Sequence, residues 1–534
     1  MAVHTIPDLL ADGSHRFADH PAIVDGPIRV SYRELADGAR AVSAGLVGLG
    51  VTTGDRVAIW APNTADYILA LLGAERIGAA VVPLNTRYRG LEAHAILARS
   101  RAKVLVVADG FLGTDYVEML HVAGSHDAQS QNSEQQGAAI GGLPHLMSIV
   151  DIRSNGSAST VGWNDFLLGS TDLLAQSDEM AAKVAPSTIC DILFTSGTTG
   201  IPKGVLSTHA QTVGVGDVWA RGAGLTADDR YAIVNPFFHG FGYKAGIIAA
   251  LTRGATVYPV LTFDPVTVMQ LIQDEGITVM PGAPTIFMTL IDHPRLADFD
   301  LSSLRFATAG ATSVPETLFE QMRTVLGFDT VAQAYGLTEC MVATQSRPNE
   351  DPRHVAQTTG PAVEGIEIRI VDPNGDDVGV GDDGEVWLRG DNVMRGYFED
   401  PVATAEAIDA DGWLRTGDVG RFDEHRCLKI TDRIKDLFIV GGFNVYPAEV
   451  ENVLAGHPDV TEAAVIGVPD DRLGHVARAY VIPRSGSAIT GDSLGEWCRD
   501  RLANFKVPRQ FVIVKQFPRN ASGKILKRDL RAAP

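Results

Sequence analysis

From Arg56 onward, short apolar runs alternate with longer helix-patterned stretches, and this alternation restricts the accessible folds more than any other feature. Arg56-Val-Ala-Ile-Trp60 reads as a strand, and an amphipathic helix is expected from Ala65. Runs at 231–235, 255–260, 277–280, 304–309 and 330–334 read as further strands, with helical patterns at 265–274 and 315–326 between them. Strand–helix alternation builds largely parallel sheets covered by helices. Such sheets bind ligands beyond the carboxyl ends of their strands, so chemistry is expected in the segments that follow strands.

After residue 360 the texture changes. Short strands at 367–371 and 385–389 are separated by Asp/Gly-rich turns such as Asp372-Pro-Asn-Gly375, the pattern of a small antiparallel barrel or sheet. From 439 the chain reads as a separate α+β unit, with strands at 462–468 and 478–483 and a helix at 493–502. The Ser/Gln/Gly/Asn-rich stretch 124–142 reads as an exposed, mobile loop. A chain of 534 residues exceeds one ordinary core.

The net charge of −20 argues against a nucleic-acid partner, whose recognition rests on basic surface. It does not exclude an anionic substrate held at a local basic site. Cys190, Cys340, Cys427 and Cys498 form no close pair, so no Cys-x-x-Cys metal or redox motif is indicated. The N-terminus shows no signal peptide. The most apolar stretch, 67–84, is broken by Glu75 and Arg76, so no transmembrane segment is expected and a cytoplasmic location is the default.

The densest motif is Thr195-Ser-Gly-Thr-Thr-Gly-Ile-Pro-Lys-Gly204, which follows the strand-like Asp191-Ile-Leu-Phe194. Glycines let a backbone approach a ligand closely, and hydroxyls, free N–H groups and Lys203 suit an anion. The spacing is not that of the common P-loop. In Tyr335-Gly-Leu-Thr-Glu339 the tyrosine offers a face for a base, Thr338 a hydroxyl for phosphate and Glu339 a hard oxygen for Mg²⁺. Thr416-Gly-Asp418 places a carboxylate in a turn, suited to ribose hydroxyls. Asp432-Arg-Ile-Lys-Asp436 leads into Gly441-Gly-Phe-Asn-Val-Tyr-Pro447, and Lys524 sits on a glycine-bearing loop at 518–525.

Together and in this order, these segments resemble the adenylate-forming superfamily of acyl-CoA synthetases, peptide-synthetase adenylation domains and beetle luciferases. The resemblance covers nearly the whole chain. It implies an α/β protein: a large N-terminal domain, 1–434, of two helix-covered sheets and a small distorted β-barrel, and a small mobile α+β C-terminal domain, 435–534. It also implies two half-reactions. A carboxylate attacks the α-phosphate of ATP and expels pyrophosphate; the thiol of coenzyme A then attacks the acyl-adenylate.

The resemblance assigns Thr195, Ser196, Gly197, Thr198, Thr199, Gly200 and Lys203 to the triphosphate, with Thr198 and Glu339 near Mg²⁺. Gly310, Ala311, Gln333, Ala334 and Tyr335 would form the adenine pocket, followed by Gly336, Thr338 and Glu339. Asp418 and Arg433 would take the ribose, and Lys524 would bridge the substrate carboxylate and the α-phosphate. Lys435 aligns with the hinge of the small domain, and Gly441, Gly442 and Phe443 with the coenzyme A path. In Asn235-Pro-Phe-Phe-His239, Phe237, Phe238 and His239, together with Gly310, would line the acyl pocket, His239 gating the carboxylate.

The combination of 191–197, 235–239, 241–246, 301–306 and 441–447 is similar to one actinobacterial branch of the family. That branch activates the propionate side chain of a methyl-hydrindanedione left after removal of the steroid A and B rings. Medium- or long-chain fatty acids and aryl acids are the neighbouring alternatives. An acyl-AMP ligase serving a carrier protein and a non-catalytic adenylate-binding module are more distant ones. The partners implied are a small carboxylic acid and coenzyme A, with a homodimer among the allowed assemblies.

Overall fold

The computed structural model describes residues 3–128, 140–195, 202–310, 316–348, 350–433, 436–440, 443–445, 447–470, 473–499, 501–502, 504–519 and 525–532. Arg56–Trp60 lies within an eight-stranded sheet, parallel to Ala80–Pro83 on one side and Val104–Val107 on the other. Four of its five residues are fully buried, the near-continuous apolar pattern of a strand covered on both faces. Ile189–Thr195 adds on parallel to Ala80–Pro83; Lys203–Thr208 then turns back antiparallel, and Gly396–Tyr397 closes that edge.

The helix Ala65–Arg76 departs from the expected amphipathic pattern. It is buried on most sides, Glu75 included, because the helix Tyr32–Gly48 covers its outer face. The two helices approach so closely at Gly73 that a Cβ there would lie 2.5 Å from the Cβ of Val42.

The second sheet runs Ile28–Ser31, Pro21–Asp25, Thr256–Pro259, Arg230–Ile233, all parallel except its first pair. The run expected as a strand at 277–280 contributes only single bridges, Val279 to Tyr231 and Val279 to Phe306. Pro281 follows and has no N–H to extend the ladder. Beyond it Phe306–Thr308 pairs in parallel with Thr330–Ala332. One apolar core joins both sheets through residues such as Val57, Leu71, Ile233 and Val257.

The barrel-like part is a four-stranded antiparallel sheet of Ile366–Val371, Gly384–Gly390, Leu414–Phe422 and Leu428–Arg433. It shares a core with the hairpin Ala334–Leu337/Cys340–Gln345. The smaller C-terminal domain has cores of its own, built entirely from residues 438 onward. Its sheet pairs Val460–Asp470 antiparallel with Gly474–Pro483, which runs parallel to Gln510–Ile513. The helix expected at 493–502 spans Gly491–Arg499.

The stretch 124–142 is not wholly a loop. Its first five residues continue the helix Tyr116–Ala128, and Ile140 is buried. A Cβ on Gly124 would lie 2.5 Å from the carbonyl oxygen of Gly141, so these glycines permit two backbones to touch. Residues 129–139 lie outside the described residues. Among the described residues, no helix is long and apolar enough to cross a membrane.

Candidate active site

The Gly/Thr-rich motif is flanked by the antiparallel strands Ile189–Thr195 and Lys203–Thr208. Thr195 and Lys203 are cross-strand partners, the last pair before the turn, and Thr195 Oγ1 donates to the Lys203 carbonyl at 3.4 Å. The second hairpin, 334–345, has Leu337 paired with Cys340, so Thr338 and Glu339 are its two turn residues. Both are half-buried. The hairpin's register is irregular between Tyr335 and Leu337, and Val342 opposite adopts φ 61°, a left-handed conformation costly for a β-branched residue. Gly336 accommodates the distortion: a Cβ there would lie 2.5 Å from the Val342 nitrogen.

Lys203 and Glu339 meet through Tyr397. Its hydroxyl donates to Glu339 Oε1 at 2.8 Å, and the Lys203 ammonium lies 4.9 Å from its ring centroid. Nothing in the motif reading pointed to Tyr397. Its position follows from the edge strand Gly396–Tyr397, which pairs with Val205 and Leu206 just beyond Lys203. Burial and the Glu339 carboxylate push the Tyr397 phenol far up, so it stays a donor.

A second polar contact involves the first strand of the hairpin. The Tyr335 hydroxyl donates to Asp418 Oδ2 at 2.6 Å. Asp418 is 2% exposed, and its N–H donates to Thr416 Oγ1. Asp418 and Arg433 are cross-strand partners, which places the two residues expected at a ribose directly opposite each other. Gln333 is held by the Ser346 hydroxyl at its N–H and by the Ala356 carbonyl at its side chain. Ala334 begins the hairpin strand, and Gly310 follows the strand Phe306–Thr308.

The acyl segment divides. Phe237 is fully buried, its N–H donating to Asn63 Oδ1 and its ring 5.3 Å from that of Tyr67. Its ring thus packs into the apolar core beside Tyr67. Phe238 and His239 remain half-buried. His239 caps the next turn: its Nδ1 accepts the Phe241 N–H at 3.2 Å. In the neutral ring this leaves the proton on Nε2, and desolvation lowers the pKa of His239, favouring that neutral form. Phe241, which the motifs did not assign to the acyl pocket, lies against Gly310 and edge-on to Trp219 with centroids 5.5 Å apart.

Below this segment lies a buried ionic network. Lys244, on the π-helical turn Tyr243–Ile248, pairs with Asp191 at 3.0 Å and donates to Ser207 at 2.7 Å. Asp191 also accepts from Thr212 at 2.7 Å. Tyr243 donates to Glu75, whose carboxyl is pushed well up by burial. The network links the acyl segment to both strands of the hairpin that bears Thr195 and Lys203.

In the C-terminal domain, Arg519 and Ile525 form a bridge that closes the loop bearing Lys524. Arg531 pairs with Asp436 at 2.8 Å, beside position 435. Ser196, Gly197, Thr198, Thr199, Gly200, Ala311, Lys435, Gly441, Gly442 and Lys524 lie outside the described residues, as do the side chains of Arg433 and Phe443.

The AMP-binding enzyme family matches residues 10–398, and the C-terminal domain of the same enzymes matches 449–524. The chain belongs to the AMP-binding enzyme family. Within it, the chain is 47% identical over 533 residues to a Rhodococcus jostii (strain RHA1) protein, covering 99% of this chain and 98% of that one. The relative is named 3-[(3aS,4S,7aS)-7a-methyl-1,5-dioxo-octahydro-1H-inden-4-yl]propanoyl:CoA ligase. A protein of the same name from Mycobacterium tuberculosis (strain ATCC 25618 / H37Rv) is also 47% identical, over 530 residues and 99% of both chains. Among solved structures, the anthranilate CoA ligase AuaEII in complex with anthranoyl-AMP superposes with a TM-score of 0.86 at 26% identity, covering 100% of this chain and 98% of that one. The AMP-binding enzyme fold thus accounts for both domains.

Proposed function

We propose that this AMP-binding enzyme is an ATP-dependent, AMP-forming acid:CoA ligase whose acid is a bicyclic, steroid-derived propionate. The observation that carries the reading is the pair of contacts made by the 334–345 hairpin: Glu339 with Tyr397 and so with Lys203, and Tyr335 with Asp418, which faces position 433. The choice of acid rests on the full-length likeness to the two propanoyl:CoA ligases.

On this reading the Thr195–Lys203 hairpin tip holds the triphosphate, and Asp418 with Arg433 holds the ribose. Glu339 fits a Mg²⁺ ligand: Oε1 is oriented by Tyr397, and no hydrogen bond to Oε2 is found among the described residues. Bound there, the ion would neutralise charge on the phosphates. Thr198 would supply a second oxygen. Neutral His239 offers its Nε2–H to the substrate carboxylate, beside the apolar faces of Phe238 and Phe241. Lys524 stabilises charge as the carboxylate attacks the α-phosphate; such groups contribute roughly a hundred- to a thousandfold in rate. Rotation about Lys435 then withdraws Lys524 and brings Gly441, Gly442 and Phe443 to the pantetheine arm.

A pyrophosphate-release screen over bicyclic propionates, fatty acids and aryl acids, with and without coenzyme A, tests the reading. Release that requires the bicyclic acid and yields its coenzyme A thioester supports it. Preference for fatty or aryl acids refutes the choice of acid. An acyl-adenylate that is not converted to a thioester when coenzyme A is present refutes the second half-reaction. A Lys524→Ala variant with full thioester synthesis refutes the mechanism.

A further inference from the structure

A second cluster of chemistry-bearing side chains lies outside the proposed nucleotide and acyl contacts. Glu350 Oε1, His354 Nδ1 and Cys427 Sγ converge, with ligand atoms all within 4.8 Å of one another. The sulfur is 3.7 Å and the nitrogen 2.8 Å from the same carboxylate oxygen.

Each group is aimed by a separate partner. Glu350 Oε2 accepts the Arg347 N–H at 3.0 Å, which leaves Oε1 facing inward. His354 Nε2 is held by Asp423 Oδ2 at 2.5 Å, which leaves Nδ1 facing inward. The other oxygen of Asp423 accepts the N–H groups of His425 and Cys427, fixing the turn that carries the sulfur. Arg426 takes the turn through φ 61°. Glu350 and His354 are four residues apart around the start of the helix Pro352–Val355, so one short segment supplies two ligand atoms and the 423–427 turn supplies the third.

We infer that Glu350, His354 and Cys427 form a site for a thiophilic divalent transition metal of the zinc class. A sulfur, an imidazole and a carboxylate are zinc donors, and three protein ligands leave a fourth position open. Tetrahedral zinc with ordinary bond lengths needs ligand atoms about 3.3–3.8 Å apart. The sulfur–oxygen separation of 3.7 Å already meets this, and metal entry would open the nitrogen–oxygen contact of 2.8 Å. Asp423 supplies the outer carboxylate that typically orients a metal-bound histidine. His425, in the same turn, packs edge-on to His354 with ring centroids 5.3 Å apart. Binding displaces one proton from the Cys427 thiol and one from His354 Nδ1, so a metal(II) ion enters as two protons leave.

The site ties the 350–354 segment to the turn joining Leu414–Phe422 and Leu428–Arg433, the strands carrying Asp418 and Arg433. It would brace the ribose side of the nucleotide site without touching a reactant. The inference stands whether or not the proposed acid is correct.

The test uses the full-length, metal-stripped protein. Equilibrium dialysis against Zn²⁺ should show one tightly held ion per chain. Substitution with Co²⁺ should give a thiolate-to-cobalt charge-transfer absorption. That band should vanish in Cys427→Ser and persist in Cys190→Ser, Cys340→Ser and Cys498→Ser. Asp423→Asn should weaken the affinity about 10- to 100-fold, and Glu350→Gln should weaken it with the circular-dichroism spectrum unchanged. No retained Zn²⁺ and no charge-transfer band would overturn the inference, leaving an ion-pair cluster only. A band that survives Cys427→Ser would overturn it equally.

Discussion

Replacing Tyr397 with phenylalanine deletes one oxygen and isolates one interaction. The ring remains, so the Lys203 ammonium keeps its 4.9 Å contact and the edge strand keeps its pairing with Val205. What is lost is the 2.8 Å hydrogen bond that orients Glu339. Hydrogen bonds to charged groups contribute about 1.5–3 kcal/mol. Both groups here are half-buried, so about 1–2 kcal/mol is the reasonable share, equivalent to about 5- to 30-fold in rate. ATP–pyrophosphate exchange at saturating acid should fall by that factor. The Mg²⁺ concentration for half-maximal exchange should rise, because a freely rotating Glu339 must be ordered on binding. Thermal unfolding should barely move. Tyr397→Leu, which also removes the ring, should lose more. Exchange within twofold of wild type at every Mg²⁺ concentration would show that Tyr397 does not position Glu339.

Lys244→Met should strand Asp191, which is fully buried, and cost about 3–5 kcal/mol in urea unfolding. The pair Lys244→Met/Asp191→Asn should recover much of this, and a loss under about 1 kcal/mol in the single variant would contradict the network's role. His209 is fully buried with its Nδ1 accepting the Ile6 N–H, and its pKa is lowered to about 4 by desolvation. The unfolded chain therefore binds this proton first, so stability is intact above about pH 6.5 and falls by about 3 kcal/mol as pH drops to about 4. His209→Gln should flatten that part of the stability–pH curve, and an unchanged slope would refute the assignment. Gly336→Ala drives a Cβ to within 2.5 Å of the Val342 nitrogen, so it should destabilise by about 1–3 kcal/mol and depress pyrophosphate exchange. Equal stability and exchange would show that the hairpin relaxes freely.

Much of this was legible in the sequence because periodicity and turn chemistry act locally. The strand at Arg56–Trp60 has the expected bounds, and the helix expected at 265–274 spans Pro265–Glu275. The pairing of Asp418 with Arg433 was implied by family resemblance, and strand register gives it a geometric basis. Tyr397 escaped notice because it carries no motif; its role arises from an edge strand closing beside Lys203, a long-range event. Phe237 and Phe238 are adjacent and chemically identical, yet in the turn they occupy one is fully buried and the other half-buried, a difference set by tertiary packing rather than by residue type. The Cys427 cluster was equally hidden. Its ligands are 77 residues apart, and a fold with antiparallel register brings them together.

The most direct test of the central claim follows an oxygen atom. With the bicyclic propionate carrying ¹⁸O in its carboxylate, plus ATP, Mg²⁺ and coenzyme A, mass spectrometry should find one ¹⁸O in the AMP for each acyl-CoA formed. Unlabelled AMP, or ADP in its place, would contradict an attack of the carboxylate on the α-phosphate.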